Sequence, residues 1–487
     1  MRRLSRAALG GLPGAVRRPD FDPGSIGTGI VHLGIGAFAR AHLACYTQPL
    51  LREDPGWGIL GVSLRRADTR DALSPQDYLY TCAERDGAGG RLSIMAALTG
   101  VLVAPEGAAT VLARLADPAV RIVTLTVTEK GYRRVGASGG LDADDPVVRQ
   151  DLATPEAPRT APGLLVAALR LRRAAGVAPF TVLSCDNLPE NGRSAHRVVV
   201  EFADRVDPAL GRFIESEVAF PSCMVDRIVP ATTDTDRVRI DAALGVEDRW
   251  PVVCEPFTQW VIEDWFPRGR PAWEASGAEM VDDVRPYEEM KLRLLNGAHS
   301  SIAYLGQLAG WETVADAVAD PALTAHIAAL MREVATTLHL PASVDVPAYC
   351  RALLARFANP ALRHRTAQIA MDGSQKLPQR LLAPALARVS AGQDVPRIAL
   401  GVAAWLRFLQ GRADDGSTLR VDDPKAEVLT QAARGAANSQ ALCDAILAMR
   451  DVVPATLADS SVFHTEVLAA LDRLATRGAR ATLAMMA

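Results

Sequence analysis

Residues 27–38, GTGIVHLGIGAF, run apolar side chains into Gly34-Ile35-Gly36, and Ala39 stands where the third small residue of a G-x-G-x-x-G/A turn belongs. Ala37 to Leu51 then reads as a helix and Gly58 to Leu64 (GILGVSL) as the next strand, which completes a βαβ unit. The glycines admit close backbone approach, and a helix N-terminus offers free N–H groups and a positive dipole end to a pyrophosphate. A lone glycine pattern is weak, but this one follows a strand and opens a helix. It predicts a dinucleotide site at Gly34, Gly36, Ala37, Phe38 and Arg40. The second strand runs into Arg65-Arg66-Ala67-Asp68. Asp68 suits a ribose 2′-OH and so NAD, whereas Arg65 or Arg66 suits a 2′-phosphate and so NADP.

Further strands are expected at 121–128 (RIVTLTVT), 180–185 (FTVLSC) and 251–257 (PVVCEPF), with helical spacing at 162–174. Alternation of this kind makes an α/β domain with a mainly parallel sheet of Rossmann type. Thr128-Glu129-Lys130 follows one strand, and Asp186-Asn187 with Asn191-Gly192 follows another. Ligands in such sheets sit outside the carboxyl ends of strands, so these clusters lie where a cofactor and substrate belong. Asn-Leu-Pro-Glu-Asn-Gly is also good turn chemistry, so Asn191 reads equally as a site or a turn.

From Tyr287 onward the β signals fade, and Ala- and Leu-rich segments such as 323–338, 428–437 and 440–450 predict a mostly helical second domain. The boundary is placed near residue 285, giving a Rossmann-type domain over 1–285 and a helical substrate domain over 286–487, with a cleft expected between them. Residues 1–20 are basic at the start, carry no apolar run of signal length, and are expected to be a frayed extension. Residues 372–378, DGSQKLP, are expected to form a loop.

The second domain opens on Tyr287 to Tyr304, YEEMKLRLLNGAHSSIAY. At about 100° per residue, with Lys291 at 0°, Glu288 falls near 60°, His299 near 80° and Asn296 near 140°. One side of the helix therefore carries an ammonium, an amide and an imidazole. Those groups can move a proton at an alcohol or carbonyl oxygen and hydrogen-bond the charge that develops there. A core helix with one buried histidine is the bland alternative. Lysine usage bears on the choice: among 53 Lys and Arg the lysines are Lys130, Lys291, Lys376 and Lys425. Positions that keep lysine where arginine is the habit are those where a cation that can lose its proton has a use.

Composition excludes other classes. A net charge of −3 over 487 residues gives no basic field for nucleic acid. No apolar run approaches transmembrane length. Seven single cysteines without a C-x-x-C pair fit a reducing cytoplasm. No H-E-x-x-H and no paired cysteines offer a zinc ligand set, so no metal is expected and proton transfer falls to a side chain. A lysine at about 10.4 is a poor base at neutral pH, so its surroundings have to lower it.

With the glycine turn, SCDNLPENG (184–192) and KLRLLNGAHS (291–300) in view, the chain resembles the polyol-specific long-chain dehydrogenases, the mannitol dehydrogenase family, over nearly its whole length. LTVTEKGY (125–132), MVDRIVPA (224–231), CEPFTQWVIED (254–264) and HRTAQIAMDGSQKLPQRLL (364–382) look most like its fructuronate reductase branch, whose members are also called D-mannonate oxidoreductases. The resemblance implies a metal-free, monomer-like or weakly oligomeric enzyme moving hydride between NAD and a sugar acid or sugar alcohol. It implies Lys291 as general acid/base, Asn187 and Asn296 as oxyanion donors, and His299 as a ligand of a substrate hydroxyl. Glu288 would stand at a water path to the lysine, and Asp226 and Lys376 in the substrate pocket; because a hexuronate carboxylate cannot be buried unpaired, the 372–380 loop also offers it Lys376, foremost, and Arg380. Thr128 and Glu129 join the cofactor set. Two departures stand out: Gln368 occupies a position where mannitol-type members carry arginine, and Ala39 replaces the family's usual histidine before Arg40. A mannitol- or arabinitol-type 2-dehydrogenase, a reductase of another hexuronate such as tagaturonate, and a non-catalytic dinucleotide sensor are the alternatives.

Overall fold

The computed structural model describes residues 1–86, 89–136 and 139–486. They fall into two units, Met1–Arg285 and Pro286–Ala487. The first contains the strands β1 (Thr28–Leu33), β2 (Gly58–Ser63), β3 (Tyr80–Asp86), β4 (Gly89–Met95), β5 (Leu98–Val103), β6 (Ile122–Leu125), β7 (Thr181–Ser184), β8 (Cys223–Asp226), β9 (Val252–Cys254), β10 (Gln259–Glu263) and β11 (Glu279–Val281).

Five of these form one sheet in the order β5-β2-β1-β6-β7, and every pairing in it is parallel. Its strands read as near-continuous apolar runs because both faces are covered. Val31, Leu33, Val62, Val123 and Val182 join one buried cluster with Leu164, Ala168 and Val198 of the flanking helices. Ile30, Ile59, Ile122 and Leu183 join another with Tyr46, Trp57 and Trp260. The chain leaves β1 toward β2 on one side, and β6 lies on its other side, so the carboxyl ends of β1 and β6 flank the topological switch point.

Residues 251–257 do not join this sheet. Only Val252–Cys254 is strand, and it lies parallel to β3 in a separate sheet, β4-β3-β9, while β11-β10-β8 forms a third. The expected helix over 37–51 is also interrupted. It runs Ala37–Ala41, breaks at His42 (φ −123°, ψ −78°), resumes at Leu43–Thr47 and tightens to a 3₁₀ turn over Gln48–Leu50. The His42 ring stacks on Phe38 at 4.9 Å, and its Nε2 donates to the Gln259 carbonyl at 3.0 Å, which holds the break in place.

The first twenty residues are not frayed. Leu4, Leu12 and Val16 are buried with Ile94, Ile240 and Leu244. Leu4 N donates to Glu247 O at 2.9 Å, and Arg17 exchanges backbone bonds with Leu92 (2.9 Å) and Ile94 (2.8 Å). Three apolar residues spaced through a basic segment are enough to seat it once a complementary surface exists. Sequence position alone does not reveal that surface.

The second unit is helical. Its Pro396–Phe408 helix is apolar nearly all round, as a helix at the centre of a bundle is, and packs against Gly297–Ala309 and Ser461–Met486. Residues 372–378 are not a loop: Gly373–Leu377 is α-helical and continues into a π-helical turn over Pro378–Leu382. Asp372 caps this segment in the left-handed region (φ 57°), and Ser374 is tied through its N (2.8 Å) and Oγ (2.6 Å) to the Asp423 carboxylate. The local letters, glycine and proline among polar residues, favour a turn, and tertiary bonds to Asp423 override them. Among the described residues no helix is long and apolar enough to cross a membrane.

Candidate active site

In the first unit the polar groups converge where the sheet topology directs them. Gly34 closes β1 in the left-handed region (φ 93°), and a β-carbon there would lie 2.3 Å from the Thr126 carbonyl, so both the conformation and the contact demand glycine. The Thr126 hydroxyl donates to Gly34 O at 2.9 Å and meets His32 Nε2 at 2.8 Å, while His32 Nδ1 meets Thr124 Oγ1 at 2.7 Å. Burial pushes His32 down to about 4, so it is a neutral brace between β1 and β6.

Asp186, just past β7, is the anchor of the next layer. Its carboxylate accepts from Val127 N (3.0 Å), Thr128 N (2.8 Å) and Tyr132 Oη (2.8 Å). Burial raises its pKa, and these three donors oppose the rise. Thr128 is held at φ 65°, a strained setting for a β-branched residue, and Thr128 and Glu129 are exposed at the mouth of the sheet. Asn187, next to Asp186, is exposed there as well. Asn191 resolves as a brace: its amide donates to Asp186 O (3.0 Å) and Cys223 O (2.7 Å) and accepts from Cys223 N (2.9 Å), joining the β7 exit to β8. Asp226 closes β8 and is buried.

Gly36, Ala37 and Phe38 remain partly or fully open around the glycine turn, but Arg40 does not. Arg40 is buried, donates to the Trp250 carbonyl at 2.6 Å and lies 5.1 Å from the Tyr80 ring centroid. It holds the first helix to the core instead of standing open for the cofactor role expected of it. Its side chain continues inward from a short helix whose far face is core, which a glycine motif does not disclose. Asp68 is exposed at the start of the Asp68–Leu73 helix and pairs with Arg66 at 3.3 Å, so the two opposing charges partly cancel.

In the second unit, the helix carrying Lys291 is not uniform. Arg285–Met290 is α-helical, Lys291–Asn296 is π-helical, and Gly297–Ala309 is α-helical again, with Gly297 N bonding back to Leu292 O. In α geometry a residue five positions on lies about 140° round the helix. With i→i+5 bonding Asn296 lies one turn above Lys291, closer to its side than a uniform wheel gives. Such insertions occur often at functional sites because they re-aim side chains. Lys291 and His299 are buried, and Glu288 and Asn296 are half-buried.

The His299 ring lies 4.6 Å from Phe357 and 5.3 Å from His364. Burial holds it well below the usual histidine range, and the charges of His364, Arg356 and Arg380 act in the same direction. His299 is thus neutral. Arg380 donates to Ser300 Oγ at 3.2 Å, and a β-carbon at Gly297 would lie 2.8 Å from the Arg380 carbonyl, so two π-helical turns meet backbone to backbone. Lys376 donates to Met371 O at 2.7 Å and pairs with Asp372 at 3.3 Å; burial and Arg380 lower its pKa, and Asp372 opposes this. The expected loop lysine is therefore a helix-borne, already paired ammonium. Gln368 is exposed on the short Thr366–Ile369 helix. His364 and Ser300, which pack beside His299 and Arg380, do not stand out in the sequence. Their signal lies only in what packs beside them.

Residues 28–275 match the sequence profile described as the Mannitol dehydrogenase Rossmann domain, and residues 283–475 match the Mannitol dehydrogenase C-terminal domain. The chain is 46% identical to the D-mannonate oxidoreductase of Escherichia coli K12, over 97% of this chain and 98% of that one. It is 40% identical to a mannitol 2-dehydrogenase of Phaeosphaeria nodorum, over 96% of this chain and 83% of that one. The solved structure of the mannitol 2-dehydrogenase of Pseudomonas fluorescens, a ternary complex with NAD and D-mannitol, superposes with a TM-score of 0.82 at 36% identity over 99% of each chain.

Proposed function

The chain belongs to the mannitol dehydrogenase family, and on that premise we propose that it is an NAD-dependent oxidoreductase interconverting D-fructuronate and D-mannonate, with Lys291 moving the proton. The observation that carries this reading is the near-full-length identity to a D-mannonate oxidoreductase, higher than that to the mannitol 2-dehydrogenases. The glycine turn suits the cofactor: at Gly34 the backbone leaves no room for a side chain, and open backbone and exposed Thr128 and Glu129 surround it. When bound, NAD accepts the hydride in one direction and returns it in the other.

The side chains supply the rest. In alcohol oxidation the substrate hydroxyl loses its proton to the Lys291 amine as the carbinol hydrogen leaves as hydride; in reduction Lys291 returns that proton to the new alkoxide. The Asn296 amide donates to the oxygen while it carries charge, and Asn187 has the same role by family resemblance. His299, held neutral by burial, hydrogen-bonds a neighbouring hydroxyl without adding charge. Glu288, Asp226, Lys376 and Arg380 complete the proposed substrate set. Among the described residues no three His, Cys, Asp or Glu side chains are grouped to hold a metal ion.

The test is a panel of D-fructuronate, D-tagaturonate and fructose with NADH and NADPH. The expected result is the highest kcat/KM with D-fructuronate and NADH. Preference for fructose would move the assignment to the polyol 2-dehydrogenase that the Phaeosphaeria and Pseudomonas relatives represent.

A further inference from the structure

A sugar acid brings a carboxylate into its site, and burying that charge without donors is costly. Within the second unit His364, Arg356 and Arg380 act on the His299 ring, with His364 5.3 Å from it ring to ring, and Asp372 acts on Arg380 in the opposite sense. His364 Nδ1 is closed off from water and has no hydrogen-bond partner, while the His364 carbonyl is held by Val314 N at 2.9 Å. A buried polar nitrogen without a partner is disfavoured unless another state of the molecule supplies one. Arg380 is fixed by its bond to Ser300 Oγ and by the backbone contact at Gly297, which leaves a positioned planar fork rather than a floating charge. Lys376 differs from both, since Met371 O and Asp372 already take its ammonium.

We propose that His364, whose ring lies 5.3 Å from that of His299, and Arg380, bonded to the adjacent Ser300, form the seat for the substrate carboxylate, and that Lys376 contributes to the fold of its helix more than to carboxylate binding. The proposal rests on the sugar-acid reading above and names the residues that distinguish an acid from a neutral sugar. His364 would donate from Nδ1 to one carboxylate oxygen, and the Arg380 guanidinium would take the other. His299 would keep its hydroxyl-binding role. A neutral sugar satisfies neither donor well, so the same groups would also select against polyols.

The test compares His364→Gln, Arg380→Gln and Lys376→Met for D-fructuronate and fructose reduction. The first two are expected to lower kcat/KM for fructuronate by ~10-fold or more, mainly through KM, and to change fructose reduction less than ~3-fold. Lys376→Met is expected to affect both substrates alike. Equal losses on both substrates in the His364 and Arg380 variants, or an acid-selective loss confined to Lys376→Met, would overturn the proposal. Because a variant can fail to fold, calorimetric titration of the wild-type protein with D-gluconate and with sorbitol gives an independent reading. Gluconate is expected to bind ~10-fold more tightly than sorbitol, and no preference overturns the carboxylate seat. A gluconate preference without fructuronate turnover upholds the seat and instead overturns D-fructuronate as the substrate.

Discussion

The Asp186 carboxylate holds the backbone N–H of Thr128 at 2.8 Å, and through that bond it fixes a residue set at φ 65°. A β-branched residue gains nothing locally from this conformation, so the strain is supported by the anchor. Asp186→Ala is expected to release residues 127–128 and raise the KM for NADH by ~10-fold, with a smaller change in kcat. Asp186→Asn keeps one acceptor oxygen and is expected to fall between. Steady-state kinetics at varied NADH check this, and unchanged KM in the alanine variant would remove Asp186 from cofactor positioning.

Lys291→Ala is expected to lower turnover by at least ~10²-fold, the scale on which a positioned acid/base acts. NADH binding, followed by cofactor fluorescence, is expected to persist, which separates loss of proton transfer from loss of the fold. Exhaustive chelation is expected to leave wild-type activity intact. Restoration of a chelated enzyme by zinc would instead reveal a metal site.

Much of the first unit was legible because its signals are local. A strand, a glycine turn and the next strand announce a parallel sheet, and the clusters at 128–130 and 186–187 lie beside its carboxyl ends as the topology requires. The missed features depend on partners distant in sequence. Arg40 faces Trp250, Leu4 meets Glu247, and residues 372–378 become helix through Asp423. The π-helical turn at Lys291 is a case apart, since apolar periodicity over six residues does not distinguish i→i+4 from i→i+5 bonding.

Cofactor choice is tested at Asp68. Its carboxylate repels a 2′-phosphate, and its pairing with Arg66 limits the attraction that arginine can offer. Asp68→Ser is expected to narrow the preference for NADH over NADPH by ~10-fold in kcat/KM. An unaltered ratio would show that Asp68 does not face the ribose.

His326 sets an acid limit on stability. It is fully buried, both ring nitrogens lack hydrogen-bond partners, and burial pushes its pKa down from 6.5 to about 3. The unfolded chain takes up this proton near 6.5 and the folded chain refuses it until about 3, so stability is lost as pH falls through that window. At pH 5 the loss from this one group is about 2 kcal/mol. His326→Leu is expected to flatten the fall in Tm between pH 7 and pH 5. An equally steep fall in the variant would assign the acid sensitivity elsewhere, with His32 the next group to test, as burial lowers it in the same direction.

Gly297 tests whether the meeting of the two π-helical turns matters for function. Its missing β-carbon leaves room for the Arg380 carbonyl, which a methyl would approach to 2.8 Å. That contact is to backbone, which cannot swing aside as a side-chain tip can, so Gly297→Ala must displace one turn from the other. Overpacking of this kind costs about 1–3 kcal/mol, although alanine favours the helix intrinsically. The variant is therefore expected to melt at a lower temperature than wild type. Gly435→Ala, at the end of a helix with nothing within 4 Å, serves as the control and is expected to be neutral or slightly stabilising. Because the displaced turn carries Arg380, Gly297→Ala is also expected to raise the KM for D-fructuronate more than that for fructose. A lower Tm with no difference between the two substrates would mean that the contact stabilises the unit without aiming Arg380.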